Sequence, residues 1–170
     1  MFKYRPATFA DVEDIFNLIN GYANQGLMLP KTHNVLYEIL REFIVAEEIE
    51  SGKIVGCGAL HTTWNEIAEV RSMAVHQDYH RQGIGGEIVK RLINDGRSAG
   101  VKKFFTLTYS PKFFQSLGFI TVPRESLPHK IWRECMDCPK FPNCDEIAMT
   151  LEAGEISQLP TTKVAGLSIP

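Results

Sequence analysis

Residues 73–86 read MAVHQDYHRQGIGG, an apolar segment suited to a strand, a polar turn, and then Gly83, Gly85 and Gly86 interleaved with Ile84. Immediately downstream, Ile84, Ile88 and Leu92 recur at helical spacing, so the order is strand, glycine loop, helix. At such a junction the first N–H groups of the helix lack intrahelical partners, and the helix dipole adds roughly half a positive charge. Glycine lets a ligand approach that backbone closely. The run Arg81, Gln82, Gly83, Ile84, Gly85, Gly86 is therefore a candidate phosphate site, to which Arg81 can add a full charge. No Gly-Lys-Ser/Thr follows, so this is not a Walker loop; the preceding strand does not open a βαβ unit, so it is a poor dinucleotide fingerprint. A different phosphate ligand is required.

Toward the N-terminus, that strand begins earlier and runs as EIAEVRSMAVH, while FIVAEE and KIVGCGALHTTW form a hairpin through the turn residues Ser51 and Gly52. FKYRPAT opens the chain as a short strand. Thr8 can cap a helix carrying Val12, Ile15, Phe16 and Ile19 at helical spacing, with Asp11, Glu13 and Asp14 at its N-terminal end. GYANQGLMLPKTHN, from Gly21, reads as a loop over a site, and VLYEILREF as a short helix. Toward the C-terminus, Lys103 to Thr108 is a strand, followed by a helix with Ser110 as N-cap, Pro111 at its first position and Gly118 beyond its end. FITV and EIAMTLE are closing strands. The expectation is an α/β (α+β) fold in one domain over residues 1–152, with a tail at 153–170.

The chain has 170 residues, 44% of them hydrophobic, and a formal net charge of -2. That length buries one core, and that charge gives no global field for nucleic acid. No apolar run approaches the roughly 20 residues that span a bilayer, and MFKYRPATFADVED lacks the apolar core of a signal peptide, so a cytoplasmic protein without membrane contact is expected. Cys135, Cys138 and Cys144 sit in a Pro-rich segment with His129 six residues before the first of them. Tetrahedral zinc is conceivable there, but structural zinc sites usually show two ligand pairs, and the trio can instead pack with Trp132 and Phe141. No metal is expected to be required.

On YRPAT-x-x-D-V near the start, the hairpin FIVAEE to GALHTTW, the MAVHQDYHRQGIGG loop and the late FFQSLGF, the sequence resembles the GNAT acyltransferases. Their pyrophosphate loop reads Arg/Gln-x-x-Gly-x-Gly/Ala after a strand. His80 stands where the family usually carries Arg or Gln, which leaves Arg81 or a protonated His80 to supply charge. The resemblance implies a mixed, mostly antiparallel sheet flanked by helices, with a V-shaped opening for acetyl-CoA. The pyrophosphate would sit on residues 81–86, and the pantetheine arm would run along the backbone of Met73, Ala74 and Val75.

Acetyl transfer needs a neutral amine, so a base must collect its proton at neutral pH. The resemblance places Glu69 in that role, with a strand-end salt bridge as the alternative. Arg71, two residues on, shares a face with Glu69 on a regular strand; either a bulge splits them or Arg71 holds a substrate carboxylate. The family often protonates the leaving thiolate from a Tyr in the position of Phe114 here, which leaves Tyr109 or water. AEVRSMAV, LTYSPKFFQSLGF and KIWRECMDCPKFPNC together are most similar to the short bacterial N-acetylglutamate synthases, which act at the first step of arginine biosynthesis. That branch implies L-glutamate as acceptor, held by Arg71 with Lys130 or Arg133, each otherwise a solvated surface charge. Acetylation of another small amine or a protein N-terminus, and a non-catalytic acetyl-CoA-binding module, are the alternatives. A small-molecule amine is the expected partner, with a homodimer left open.

Overall fold

The computed structural model describes residues 1–127 and 144–154. Its strands are β1 (Phe2–Pro6), β2 (Phe43–Glu48), β3 (Ile54–Trp64), β4 (Ile67–Val75), β5 (Lys103–Thr108), β6 (Ile120–Thr121) and β7 (Ile147–Glu152). Among these described residues the helices are α1 (Val12–Ala23), α2 (His33–Glu38), α3 (Ile84–Ser98) and α4 (Pro111–Ser116). One seven-stranded sheet, in the order β1-β2-β3-β4-β5-β7-β6, is antiparallel except where β4 meets β5. This is the mixed, mostly antiparallel sheet expected from the sequence.

Two apolar layers cover its faces. On one, Ile84, Ile88, Val89, Leu92 and Ile93 of α3 pack with Val70 and Phe104, and Phe114 and Leu117 join from α4 and its end. A Cβ on Gly96 would come within 2.6 Å of the Phe104 ring, so α3 lies close against β5 there. On the other face, Val12, Ile15, Leu18 and Ile19 of α1 and Leu36 of α2 cover Val45, Cys57, Ala59 and Ala74.

The entry to α1 is set by Asp11, which accepts hydrogen bonds from the Thr8 backbone N–H (2.7 Å) and from both Arg5 Nη atoms (2.6 and 2.9 Å). Burial alone would push the Asp11 carboxyl up, but these bonds outweigh it and hold it below the ordinary carboxylate range. Helix α1 continues past Gly21 to Ala23, so the expected loop begins at Asn24. A mid-helix glycine costs about 1 kcal/mol, and tertiary contacts of Leu18, Ile19 and Tyr22 override it. The segment VLYEILREF is not one helix: α2 starts earlier, with Thr32 accepting from Val35 N–H, and the chain turns at Ile39 into a single 3-10 turn, Leu40–Glu42. Ser110 occupies the N-cap of α4 without a capping bond; its own N–H is held by the Thr108 hydroxyl at 2.8 Å.

Strand β4 changes phase midway. Cys57 pairs with Ala74 and Ala59 with Arg71, so Gly58 alone faces Ser72 and Met73, and Ser72 takes a φ of +55°. This is a β-bulge. Before it, Ala68 and Val70 join the α3 layer; after it, Met73 and Val75 do, and Ala74 crosses to the α1 layer. Among the described residues no helix is long and apolar enough to cross a membrane.

Candidate active site

The β4–β5 ladder has three pairs, ending at Glu69↔Phe105. One step later the buried Thr106 donates its hydroxyl to the Val70 carbonyl at 2.9 Å, a side chain standing where the next ladder contact would lie. From there β5 stays with β7 (Thr106↔Met149 to Thr108↔Ile147), while β4 stays with β3 as far as Val75↔Gly56. The two central strands diverge, and a cleft of about 750 Å³ opens between them. Its inner edge is the backbone of β4 beyond Val70, stripped of a ladder partner on that side.

The glycine loop closes one end of this cleft. Arg81 and Gly83 both adopt left-handed conformations (φ +63° and +79°), and Gly83 is the N-cap of the 15-residue α3. Successive N–H groups in such a loop converge into an anion-binding concavity, and the helix dipole reinforces it. A Cβ on Gly83 would meet nothing within 4 Å, whereas one on Gly85 would stand 3.2 Å from Phe113 Cζ. At Gly85 the missing side chain makes room for a ring; at Gly83 it permits the turn. Arg81, Gly83, Ile84, Gly85 and Gly86 all line the cleft. His80 is tied to the end of β4, with Nε2 2.8 Å from the Tyr22 hydroxyl and 2.9 Å from the Val75 carbonyl. Tyr22 donates to that same carbonyl at 2.5 Å, and desolvation pushes its phenol up, keeping it a donor.

Met73, Ala74 and Val75 line the opening beside Glu69 and Arg71. The bulge at Ser72 comes after Arg71, so it does not separate Arg71 from Glu69; both stand opposite to the face that buries Ala68 and Val70. Arg71 Nη2 lies 3.7 Å from Glu42 Oε2 with its side chain 9% exposed. Glu42 in turn holds His61 through Oε1, 2.9 Å from Nδ1. On the β5 side, Tyr109 donates to Asp145 Oδ1 at 2.7 Å. The Phe114 ring is buried edge-on to Phe113 and Phe119 and offers the cleft an apolar wall in place of a hydroxyl. Cys57 is no alternative nucleophile, because burial pushes its thiol up to about 12.

Lys130, Arg133, Cys135 and Cys138 lie outside the described residues; Cys144 lines the cleft. Tyr22, Thr106 and Arg124 also line it, and sequence reasoning alone passes over all three. Arg124 donates to the Glu146 carbonyl at 2.8 Å, which anchors its guanidinium beside β7. The alternation Thr106-Leu107-Thr108 in an otherwise apolar strand is the available signal for a buried hydroxyl.

Comparison with known proteins agrees with this fold. The family described as Acetyltransferase (GNAT) domain matches residues 40–121. An uncharacterised N-acetyltransferase of Chlorobaculum tepidum is 37% identical over 145 residues, covering 85% of this chain and 92% of that protein. The amino-acid acetyltransferase of Mycobacterium tuberculosis is 37% identical over 131 residues, 76% of this chain and 75% of the relative. Among solved structures, a Mycobacterium tuberculosis protein in complex with CoA and NLQ superposes with a TM-score of 0.78 at 32% identity, covering 88% of this chain and 98% of that one.

Proposed function

The chain belongs to the GNAT acetyltransferase family, and from that premise we propose that its cleft binds acetyl-CoA and passes the acetyl group to the α-amino group of L-glutamate. The observation that carries the proposal is the divergence of β4 and β5 at Thr106, with an anion-binding loop at one end of the gap. The N–H groups of residues 81–86 receive the pyrophosphate, and the pantetheine amides take up the ladder positions left open on β4 at Met73, Ala74 and Val75. The thioester then lies near Glu69. Glu69 takes a proton from the acceptor's ammonium group, the freed nitrogen forms the N–C bond at the thioester carbonyl, and the C–S bond breaks. The thiolate is protonated from Tyr109, whose own proton is held toward Asp145, or from water.

An acceptor with carboxylates fits the cations of the cleft. Arg71 presents a planar guanidinium steadied at one Nη by Glu42, and Arg124 lines the same space. Lys130 and Arg133 complete the proposed set. The Mycobacterium tuberculosis relative's name as an amino-acid acetyltransferase supports an amino-acid acceptor. The test is release of free thiol from acetyl-CoA in the presence of single amines. L-Glutamate should give saturable turnover, and spermidine or an N-terminal peptide should not. Turnover with a polyamine alone would leave acetyl transfer standing and remove the carboxylate acceptor. Silence with every amine would favour a non-catalytic acetyl-CoA-binding module.

A further inference from the structure

The face of the sheet that carries Glu69 also carries a histidine–carboxylate pair that the reaction above does not use. His61 of β3 is the direct register partner of Glu69 of β4, and the neighbouring pair on the same face is Ala59 with Arg71. Directly opposed residues of an antiparallel pair place their Cβ atoms about 4.5–5.5 Å apart on one side of the sheet. Glu42, from the turn before β2, closes over this face with Oε1 2.9 Å from His61 Nδ1. A carboxylate can only accept, so Nδ1 carries the hydrogen and Nε2 is left as the basic nitrogen of the neutral ring. Facing His61 are thus Glu42 from one element, and Glu69 and Arg71 from another.

The stoichiometry of acetyl transfer gives such a group something to do. A protonated amine and a thioester become an amide, a thiol and one free proton. The ammonium nitrogen loses two protons: one ends on sulfur, and the other must leave the site each turnover. Glu69 lines the cleft, and across the β3–β4 ladder from it the His61 and Glu42 side chains are 28% and 25% exposed, in contact with solvent. We propose that His61, oriented by Glu42, relays the proton collected by Glu69 to solvent and so resets the base after each turnover. His61 is then a positioning and relay residue acting through Glu69, and Glu42 has a double task, holding the imidazole with Oε1 and Arg71 with Oε2.

The relay rests on the acetyltransferase reading and on Glu69 as base. His61→Gln should lower kcat on the order of 10-fold, leave the KM for acetyl-CoA within about twofold, and regain rate in a saturable manner when imidazole is added to the assay. An external base of the right size can stand in for a lost relay but cannot repair a lost packing contact. Glu69→Gln should be slow with or without imidazole. Should His61→Gln fail to fold, Glu42→Ala, which removes the acceptor for Nδ1 and leaves the ring unoriented, should show the same imidazole-dependent deficit. A His61 variant as fast as the wild type, or a slow one that imidazole does not restore, overturns the relay and leaves the acetyltransferase reading intact. A wild type that releases no thiol with any amine overturns that reading, and the relay with it.

Discussion

Gly83 allows the anion-binding loop to be probed by backbone conformation and by charge separately. Its φ is +79°, and a Cβ there would meet nothing within 4 Å, so the obstacle to a side chain is conformational. A left-handed L-residue costs about 1–2 kcal/mol. If the loop keeps its shape in Gly83→Ala, the whole cost appears as lost stability, a fall in Tm of roughly 2–4 °C per kcal/mol for a chain of this size. If the loop relaxes, the cost appears as acetyl-CoA affinity weakened about 5- to 30-fold. Asn tolerates the left-handed region better than Ala, so Gly83→Asn should cost less on both readouts together. Gly83→Asp has similar backbone tolerance to Gly83→Asn but adds a negative charge where the pyrophosphate is proposed to sit, and should lose binding far beyond what conformation explains. Gly85→Ala differs again: no left-handed φ is involved, and Phe113, 3.2 Å from the new Cβ, must yield by a few tenths of an ångström. Calorimetry with acetyl-CoA alongside thermal unfolding measures both quantities for each variant. Equal affinity in Gly83→Asp and Gly83→Asn, or a Gly83→Ala variant unchanged in both stability and affinity, would refute the loop as the phosphate site.

Four further outcomes are expected. Glu69→Gln should reduce turnover on the order of 10²-fold with acetyl-CoA affinity intact, and the deficit should shrink at high pH, where the amine deprotonates itself. Arg71→Lys keeps the charge and loses the two-donor fork, so the acceptor's KM should rise by the equivalent of roughly 1 to 3 kcal/mol while that for acetyl-CoA barely moves. The Asp11 carboxyl is held below its ordinary value, so its stabilisation is complete above about pH 4 and is lost as pH falls through the lowered value; Asp11→Asn should cost about 2–3 kcal/mol in neutral urea unfolding and flatten that acid limb. Thr106→Val leaves the buried Val70 carbonyl without its donor and should destabilise the fold by about 1–3 kcal/mol, read by the same unfolding curves.

Strand and helix order, the glycine loop and the α3 face are legible in the sequence because each is written in local periodicity. Ile84, Ile88 and Leu92 repeat at the helical spacing, and glycines punctuate the turn before them. What local pattern cannot show is fixed by contacts distant in the chain. Tyr22 belongs to the site because its hydroxyl reaches Val75, 53 residues on, and nothing around Gly21 announces that. Strand β4 carries no glycine or proline at its bulge, and Gly58 opposite it lies 14 residues away in the chain; the left-handed φ of Ser72 goes with the pairing of β3 and β4. The opening at Thr106 depends on one hydroxyl meeting a carbonyl 36 residues away. Two boundaries differ for a related reason: Gly21 and Val35 look locally like helix ends, whereas packing and the Thr32 cap move both ends outward.

The bulge makes β4 two half-strands of opposite phase within one continuous ladder. Residues 69 and 71 project to the α1 side before it, and residues 73 and 75 project to the α3 side after it. A change at position 69 or 71 is felt on the side of Glu42 and His61, and a change at position 73 or 75 on the side of Ile84 and Ile88. The halves can therefore diverge separately. On the proposed assignment, a lineage is free to alter the acceptor through positions 69 and 71 while holding positions 73 and 75 to the demands of an unchanging donor, because the bulge at Ser72 puts the two pairs of side chains on opposite faces without interrupting the strand that joins them.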